Sequence, residues 1–299
     1  MVYLGTFAAA LFLALGLTGV VREAALRAKI MDVPNCRSLH SVPVPKGGGI
    51  AIYFAFVLPA IWVIGRGYPQ MLPVIVGGSI ILLVGFLDDV WGISPVAKLM
   101  AQGLAAAVLV GSGIRIGFFP EALSIPLTLF WMVGIMNAVN LLDGMDGLAA
   151  GVSAITAFFF LLWAWRGGEA QVALFSAILM GASLGFLRSN FHKAAIFMGD
   201  SGSLFLGFML GALGVMSTFR ISTMSRLFVP VIILGVPIFD TSLAVARRLW
   251  KRKNLFEADC DHFYEWLWKK RVLEYKGVVI MTYLICMALG LGAIFMGGM

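Results

Sequence analysis

The sequence predicts an all-α polytopic integral membrane protein, and three observations carry that reading. Of 299 residues, 61% are hydrophobic and only 12% charged, with a mean hydropathy of +0.96, which is too little polar sequence to cover a water-soluble globule. Ten apolar stretches recur along the chain, each near the length that crosses a hydrocarbon core of ~30 Å. The connections between them alternate between basic and nearly uncharged, as the two sides of a bilayer do.

The first stretch, 2–21, has no basic run before it and no small-residue cleavage site after it, so it reads as a retained span rather than a secretory signal. The second, 48–65, follows Pro43-Val-Pro-Lys-Gly-Gly-Gly49, a shaped loop that sets Lys46 beside three glycines as a phosphate contact. The third, 70–87, runs directly into Asp88 and Asp89, and the fourth, 95–112, opens just before Lys98. The fifth, 122–138, leads into a polar turn, and the sixth, 148–165, starts after Gly147. The seventh, 171–187, ends at Arg188, and the eighth, 201–217, follows the short motif Phe197-Met-Gly-Asp-Ser-Gly-Ser203. In the ninth, 226–246, Pro230 and Pro237 each remove a helix hydrogen bond, which predicts a bent or broken span with Asp240 near its end. The tenth is 277–297. No internal repeat and no soluble domain stand out, so 1–299 reads as one transmembrane domain.

Alternate connections, 22–47, 88–94, 139–147, 188–200 and 247–276, then lie on one side. With Lys98 at the start of the fourth stretch they hold 17 of the 22 Lys and Arg, against five (Arg66, Arg115, Arg166, Arg220, Arg226) on the other, which makes the first side cytoplasmic and turns both termini outward. The formal charge of +7 is thereby a matter of orientation and not a nucleic-acid footprint. Cys36, Cys260 and Cys286 lie far apart without His or Cys neighbours, which offers neither a zinc site nor a disulfide framework.

Apart from Glu121, Glu169 and Asp240, every Asp and Glu also lies in or beside a cytoplasmic connection. Acids do not set topology, so their placement calls for a chemical reason. In Gly85-Phe-Leu-Asp-Asp-Val-Trp-Gly92 two adjacent carboxylates leave an apolar helix, where ionised groups are costly unless paired or metal-bound. In Asn137-Ala-Val-Asn-Leu-Leu-Asp-Gly-Met-Asp-Gly-Leu148 two amides and two carboxylates recur at spacings of three, and helical geometry puts Asn137, Asn140 and Asp143 on one face. Asp200 and Ser201 sit at a helix start, where backbone N–H groups meet phosphate. Each motif has a plainer use as a helix cap or solvated turn. Together they set Asp88, Asp89, Asp143, Asp146 and Asp200 at the cytoplasmic ends of different helices, a number whose repulsion calls for a hard cation such as Mg²⁺. That combination favours phosphate chemistry. In the last connection, Arg247-Arg-Leu-Trp-Lys-Arg-Lys253 reads as a topological anchor, whereas His262, in Asp259-Cys-Asp-His-Phe-Tyr-Glu265, is a sugar or phosphate contact.

In their order and in their places between the spans, these segments resemble the polyprenyl-phosphate N-acetylhexosamine-1-phosphate transferase family, of the glycosyltransferase family 4 type. The Asn-x-x-Asn-x-x-Asp-Gly-x-Asp-Gly string is its most specific carrier, supported by Pro43 to Gly49, Leu87-Asp-Asp89 with Lys98, Phe197 to Ser203 and Val236-Pro-Ile-Phe-Asp-Thr241. The resemblance implies transfer of a sugar 1-phosphate from a UDP-linked amino sugar to undecaprenyl phosphate, releasing UMP, at the cytoplasmic face of a bacterial inner membrane. It implies Mg²⁺, or Mn²⁺ in its place, as cofactor. It further implies that Asp88, with Asp89 beside it, handles the lipid phosphate, and that Asp143 and Asp200 meet the metal and diphosphate. Asn137, Asn140, Asp146, Phe197 and Ser201 then belong to the substrate-binding set, with Lys98 on a phosphate, and a second copy of the chain is a candidate partner. Single-step attack by the lipid phosphate is favoured over a covalent aspartyl intermediate, and both stay open.

The chain departs from the peptidoglycan member of that family in its last cytoplasmic connection, where Cys260-Asp-His262 stands in place of a three-histidine run. That departure argues against a pentapeptide substrate and towards members that start O-antigen, capsule or other surface glycans. The alternative from another class is a cation- or proton-coupled transporter, whose acids belong near mid-membrane rather than at one face.

Overall fold

The computed structural model describes residues 1–34, 41–218, 224–251, 264, 267–268, 270 and 272–297. All ten apolar stretches are helical: α1 (Val2–Ala28), α2 (Gly48–Ile64), α3 (Leu72–Trp91), α4 (Pro95–Gly111), α5 (Glu121–Leu142), α6 (Leu148–Gly167), α7 (Ala170–Asn190), α8 (Gly199–Met216), the pair α9 (Met224–Ile233) and α10 (Gly235–Trp250), and α11 (Tyr275–Gly297). Among the described residues, seven helices are long and apolar enough to cross a membrane by themselves, and the α9–α10 pair makes eight as one broken span. The helices α2 and α4, at 17 residues each, are shorter apolar helices. A two-stranded antiparallel hairpin, β1 (Met31–Asp32) and β2 (Val44–Pro45), pairs Met31 with Pro45 and Asp32 with Val44 ahead of α2.

The ninth span breaks at Leu234, with 77° between its halves. Pro237 has no N–H to donate to the carbonyl of Ile233 and its ring crowds that position, so the helix stops at Ile233 and restarts at Gly235. Pro230, by contrast, sits inside α9 without ending it.

Several helices run past the points where the apolar stretches stop. The 22–47 connection starts as helix through Ala28, because Arg22-Glu-Ala-Ala-Leu-Arg-Ala28 consists of strong helix formers and Glu23 pairs with Arg27 one turn on, at 3.4 Å. In the same way α3 carries Asp88 and Asp89 on its last turn, α5 carries Asn140, α7 reaches Asn190, and α8 starts early enough to include Asp200. Polar side chains therefore stand on rigid helix ends rather than in loops.

The core is built around α8, in which every residue from Ser201 to Met216 is buried, beneath α2, α3, α5 and α6. Backbones come close at glycines: a Cβ on Gly49 would lie 2.2 Å from the Gly202 nitrogen, and one on Gly85 would lie 2.6 Å from the Ser201 backbone. Small residues at such crossings are how helices gain contact in lipid, where apolar side chains have no preference for protein over hydrocarbon. The outer helices instead present large apolar side chains, among them Leu4, Phe12, Phe130 and Phe295, each at least 69% exposed.

Candidate functional site

Asp88 is fixed by the way α3 ends. Gly92 adopts φ 69° as its C-cap, which brings the Ile93 N–H within 2.7 Å of Asp88 Oδ1. The next helix then starts at once, with Pro95 in its first turn and the Ser94 hydroxyl accepting from the Ala97 N–H. Lys98 stands one turn into α4 and reaches back, its ammonium donating to Asp88 Oδ2 and to Asp200 Oδ2, both at 2.7 Å. One lysine thus bridges carboxylates from α3 and α8.

Asp89 faces the N-terminus of α8. Its Oδ1 accepts from the Asp200 N–H at 2.8 Å, and its Oδ2 accepts from the Ser201 N–H at 3.2 Å and the Ser201 hydroxyl at 2.7 Å. A side chain of α3 thereby satisfies amides that α8 cannot satisfy itself, and its negative charge lies at the positive end of the helix dipole. Gly199 makes room for it: this residue has φ 71°, and a Cβ there would lie 2.3 Å from Asp89 Oδ2. The Asn140 amide donates to Asp200 Oδ1 at 3.2 Å and to the Ser203 hydroxyl at 2.9 Å, so three helices orient Asp200. One turn deeper on α5, Asn137 donates to Gln102 Oε1 at 2.7 Å and to the Val133 carbonyl at 2.8 Å.

Asp143 caps the C-terminus of α5 and differs from its neighbours. Its carboxyl makes no hydrogen bond or ion pair among the described residues. Burial, and then the charges on Asp200, Asp89 and Asp146, push that carboxyl well above the usual carboxylate range. Asp146, three residues on, accepts from the Ala194 N–H at 3.1 Å. Lys46 pairs with Asp32 at 3.0 Å across the hairpin. Burial pulls its ammonium down, but the Asp32 bond and charge, with Asp89 and Asp200 beyond, more than offset that and hold it above the usual lysine range.

The segment before α8 is tied into the same region. The Phe197 N–H donates to Pro45 at 2.8 Å, and the Gly48 and Gly49 amides donate to the Phe197 and Met198 carbonyls, both at 2.9 Å. Asn190 is buried and joins two loops, accepting from the Gly147 N–H and donating to the Ile196 carbonyl, both at 3.0 Å.

Five aspartates (Asp32, Asp88, Asp89, Asp143, Asp200) therefore face two lysines, with Asp146 beside Asp143, and the donor set is all oxygen. Among the described residues, no three acids, histidines or cysteines converge into a ready-made metal shell. A hard cation that takes one or two carboxylates, keeps waters and shares substrate phosphates does not need one. Asp143, without a hydrogen bond or ion pair among the described residues, and Asp200 could hold such an ion.

The structure thus gathers Lys46, Asp88, Asp89, Lys98, Asn140, Asp143, Asp200 and Ser201, with Asn137, Asp146 and Phe197 at the margin. His262 lies outside the described residues. Three contributors escaped the sequence reading, Asp32, Gln102 and Asn190, and Ser203 entered it only as the end of the Phe197–Ser203 motif. Gln102 carried a signal, since it follows Lys98 by four residues and extends a polar face on an otherwise apolar helix. Asp32 and Asn190 gave none, because Asp32 meets Lys46 only once the hairpin forms and Asn190 meets Gly147 only once α7 packs beside the α5–α6 turn.

Residues 71–218 match the family described as glycosyl transferase family 4. The chain is 35% identical over 301 residues to the probable undecaprenyl-phosphate N-acetylglucosaminyl 1-phosphate transferase of Bacillus subtilis (strain 168), covering 96% of this chain and 83% of that one. It is 34% identical over 313 residues to the decaprenyl-phosphate N-acetylglucosaminephosphotransferase of Mycobacterium tuberculosis (strain ATCC 25618 / H37Rv), covering 89% and 76%. A phospho-N-acetylmuramoyl-pentapeptide-transferase of Caldanaerobacter subterraneus subsp. tengcongensis is 36% identical over 220 residues, covering 65% and 67%. With the acid-rich helix ends and the matches pointing the same way, this membrane protein belongs to glycosyl transferase family 4.

Proposed function

We propose that this protein transfers N-acetylglucosamine 1-phosphate, or a close N-acetylated amino-sugar 1-phosphate, from its UDP-linked form to undecaprenyl phosphate. The products are undecaprenyl-diphospho-sugar and UMP, and the reaction starts a surface glycan at the cytoplasmic face of a bacterial inner membrane. The observation that carries this reading is the Asp88–Lys98–Asp200 bridge, which joins two carboxylates from different helices in a chain whose relatives bear polyprenyl-phosphate aminosugar-phosphotransferase names. Transporter chemistry has no support from these relatives or from acids collected at helix ends.

In the proposed reaction an oxygen of the lipid phosphate attacks the sugar-bearing phosphorus. The bond from that phosphorus to the bridging oxygen breaks, and UMP leaves with that oxygen. Asp88, held by Lys98 and the Ile93 N–H, orients the lipid phosphate and accepts any proton it still carries. Lys98 spans the acids on the two sides of the reaction and compensates their charge. Asp89 keeps the start of α8, and with it Asp200, in place. Asp143 and Asp200 would hold Mg²⁺, which supplies charge stabilisation to a diphosphate as it comes apart. Asp146, Asn140 and Phe197 line the nucleotide side. One diphosphate linkage is exchanged for another, so no ATP site is needed, and the sequence has no phosphate-binding Gly-x-x-x-x-Gly-Lys-Ser/Thr loop.

The test is UMP release by purified protein with Mg²⁺, undecaprenyl phosphate and a panel of UDP-N-acetylhexosamines that includes the muramoyl-pentapeptide donor. Release is expected with UDP-N-acetylglucosamine and absent in Asp88→Asn and Asp200→Asn proteins that remain folded. No UMP from any donor, or full activity in both variants, overturns the reading.

A further inference from the structure

The turn between α5 and α6 carries Asp143 and Asp146, yet its own residues do little to hold it. Leu141-Leu-Asp-Gly-Met-Asp-Gly147 ends one helix and starts another, which leaves carbonyl and amide groups without helical partners. Three tyrosine hydroxyls from the C-terminal part of the chain meet this turn, one of them at the Gly147 carbonyl, which also accepts the first α6 bond from the Gly151 N–H at 2.9 Å. Tyr264 donates to the Leu141 carbonyl at 2.7 Å, Tyr283 donates to the Gly147 carbonyl at 2.6 Å, and the Asp146 N–H donates to the Tyr275 hydroxyl.

Glycines provide the seats for two of these rings. A Cβ on Gly144 would lie 2.6 Å from the Tyr264 hydroxyl, and one on Gly151 would lie 2.0 Å from that of Tyr283. The third ring, Tyr275, stands between His192 and Trp268, with ring centroids 5.5 and 6.3 Å away. The Tyr275 hydroxyl also meets the Asp146 side chain, which ties the clamp to the acid cluster at that one point.

We infer that Tyr264, Tyr275 and Tyr283 are positioning residues that clamp the α5–α6 turn from the C-terminal side and so set where Asp143 presents its carboxyl. The inference rests on the proposed role of Asp143 at the metal and donor diphosphate. Loosening the turn then weakens the use of Mg²⁺ and the sugar donor and leaves lipid phosphate unaffected, because Asp88 and Lys98 are held by other contacts.

The test uses the full chain in lipid nanodiscs with Tyr275→Phe, Tyr283→Phe and, as control, Tyr53→Phe. The control removes a hydroxyl bonded to Ser79 at 2.6 Å, between α2 and α3. Hydrogen exchange on metal-free protein is read first. The amides of 143–148 are expected to exchange about fivefold faster in the two clamp variants, the ratio for loss of one ordinary hydrogen bond, with other helices unchanged and the control flat. In the transfer assay, the Mg²⁺ concentration for half-activation should rise roughly threefold to tenfold, with the KM for undecaprenyl phosphate unchanged. Exchange that stays at the wild-type rate in both variants, or that rises equally in the control, overturns the clamp. A wild-type protein that releases no UMP overturns the functional reading instead, and the exchange experiment still decides the clamp.

Discussion

Lys98 and Asp89 illustrate why charge at this site cannot be exchanged residue by residue. Lys98 is the shared partner of Asp88 and Asp200, so Lys98→Met would leave two nearby carboxylates facing each other. UMP release by this variant is expected to fall at least ~100-fold, and Lys98→Arg should recover little, because a planar fork differs from a point charge that reaches two oxygens. Asp89→Asn keeps the shape but replaces one acceptor oxygen with a donor facing α8 amides. It should cost roughly 2 kcal/mol of stability, read as a lower denaturation midpoint in detergent. Asp88 and Asp89 look equivalent in the sequence, and the structure separates them: one is held by a lysine and the following loop, the other caps a neighbouring helix.

At the scale of elements, the crossing of α2 and α3 over the start of α8 depends on missing side chains. Gly49→Ala and Gly85→Ala each drive a methyl into backbone that has no room to give. Each is expected to destabilise by about 1–3 kcal/mol and to shift Asp200, so activity falls with stability. Gly103→Ala, on α4, meets nothing within 4 Å and should leave stability level or slightly higher. Comparing melting temperatures of the three variants separates a crossing effect from simple glycine removal. The break at Leu234 belongs to this scale as well. Its cause, Pro237, was readable in sequence, but the 77° angle comes from how α9 packs on α11 and α10 on α5.

Across the whole molecule, the acids repel one another while Asp143 has no hydrogen bond or ion pair among the described residues, so a divalent ion should stabilise the folded state through binding. Adding Mg²⁺ to metal-free protein is expected to raise the thermal midpoint, and Asp143→Asn or Asp200→Asn should remove most of that rise. An unchanged midpoint on Mg²⁺ addition to the wild type would count against these two ligands. The topology has its own check: a single cysteine at Gly92, in an otherwise cysteine-free protein, should react with an impermeant reagent from the cytoplasmic side alone.

Period and composition were enough to reveal all ten helical stretches, because a chain that must satisfy its backbone in lipid has helices as its simplest solution. The same sequence marked the acids, since charges beside apolar spans are conspicuous, and the spacing of Asn137, Asn140 and Asp143 announced a helix face. Helix ends were less legible, because alanine-, arginine- and glutamate-rich segments such as 22–28 continue a helix where hydropathy has already fallen. Only the tertiary structure decided which groups meet. Lys98 with Asp200, Asn190 with Gly147 and Tyr283 with the α5–α6 turn are separated by dozens of residues or more. Local pattern records which face of a helix is polar, whereas the partner of that face depends on close crossings at Gly49, Gly85 and Gly151, which emerge only when the helices pack.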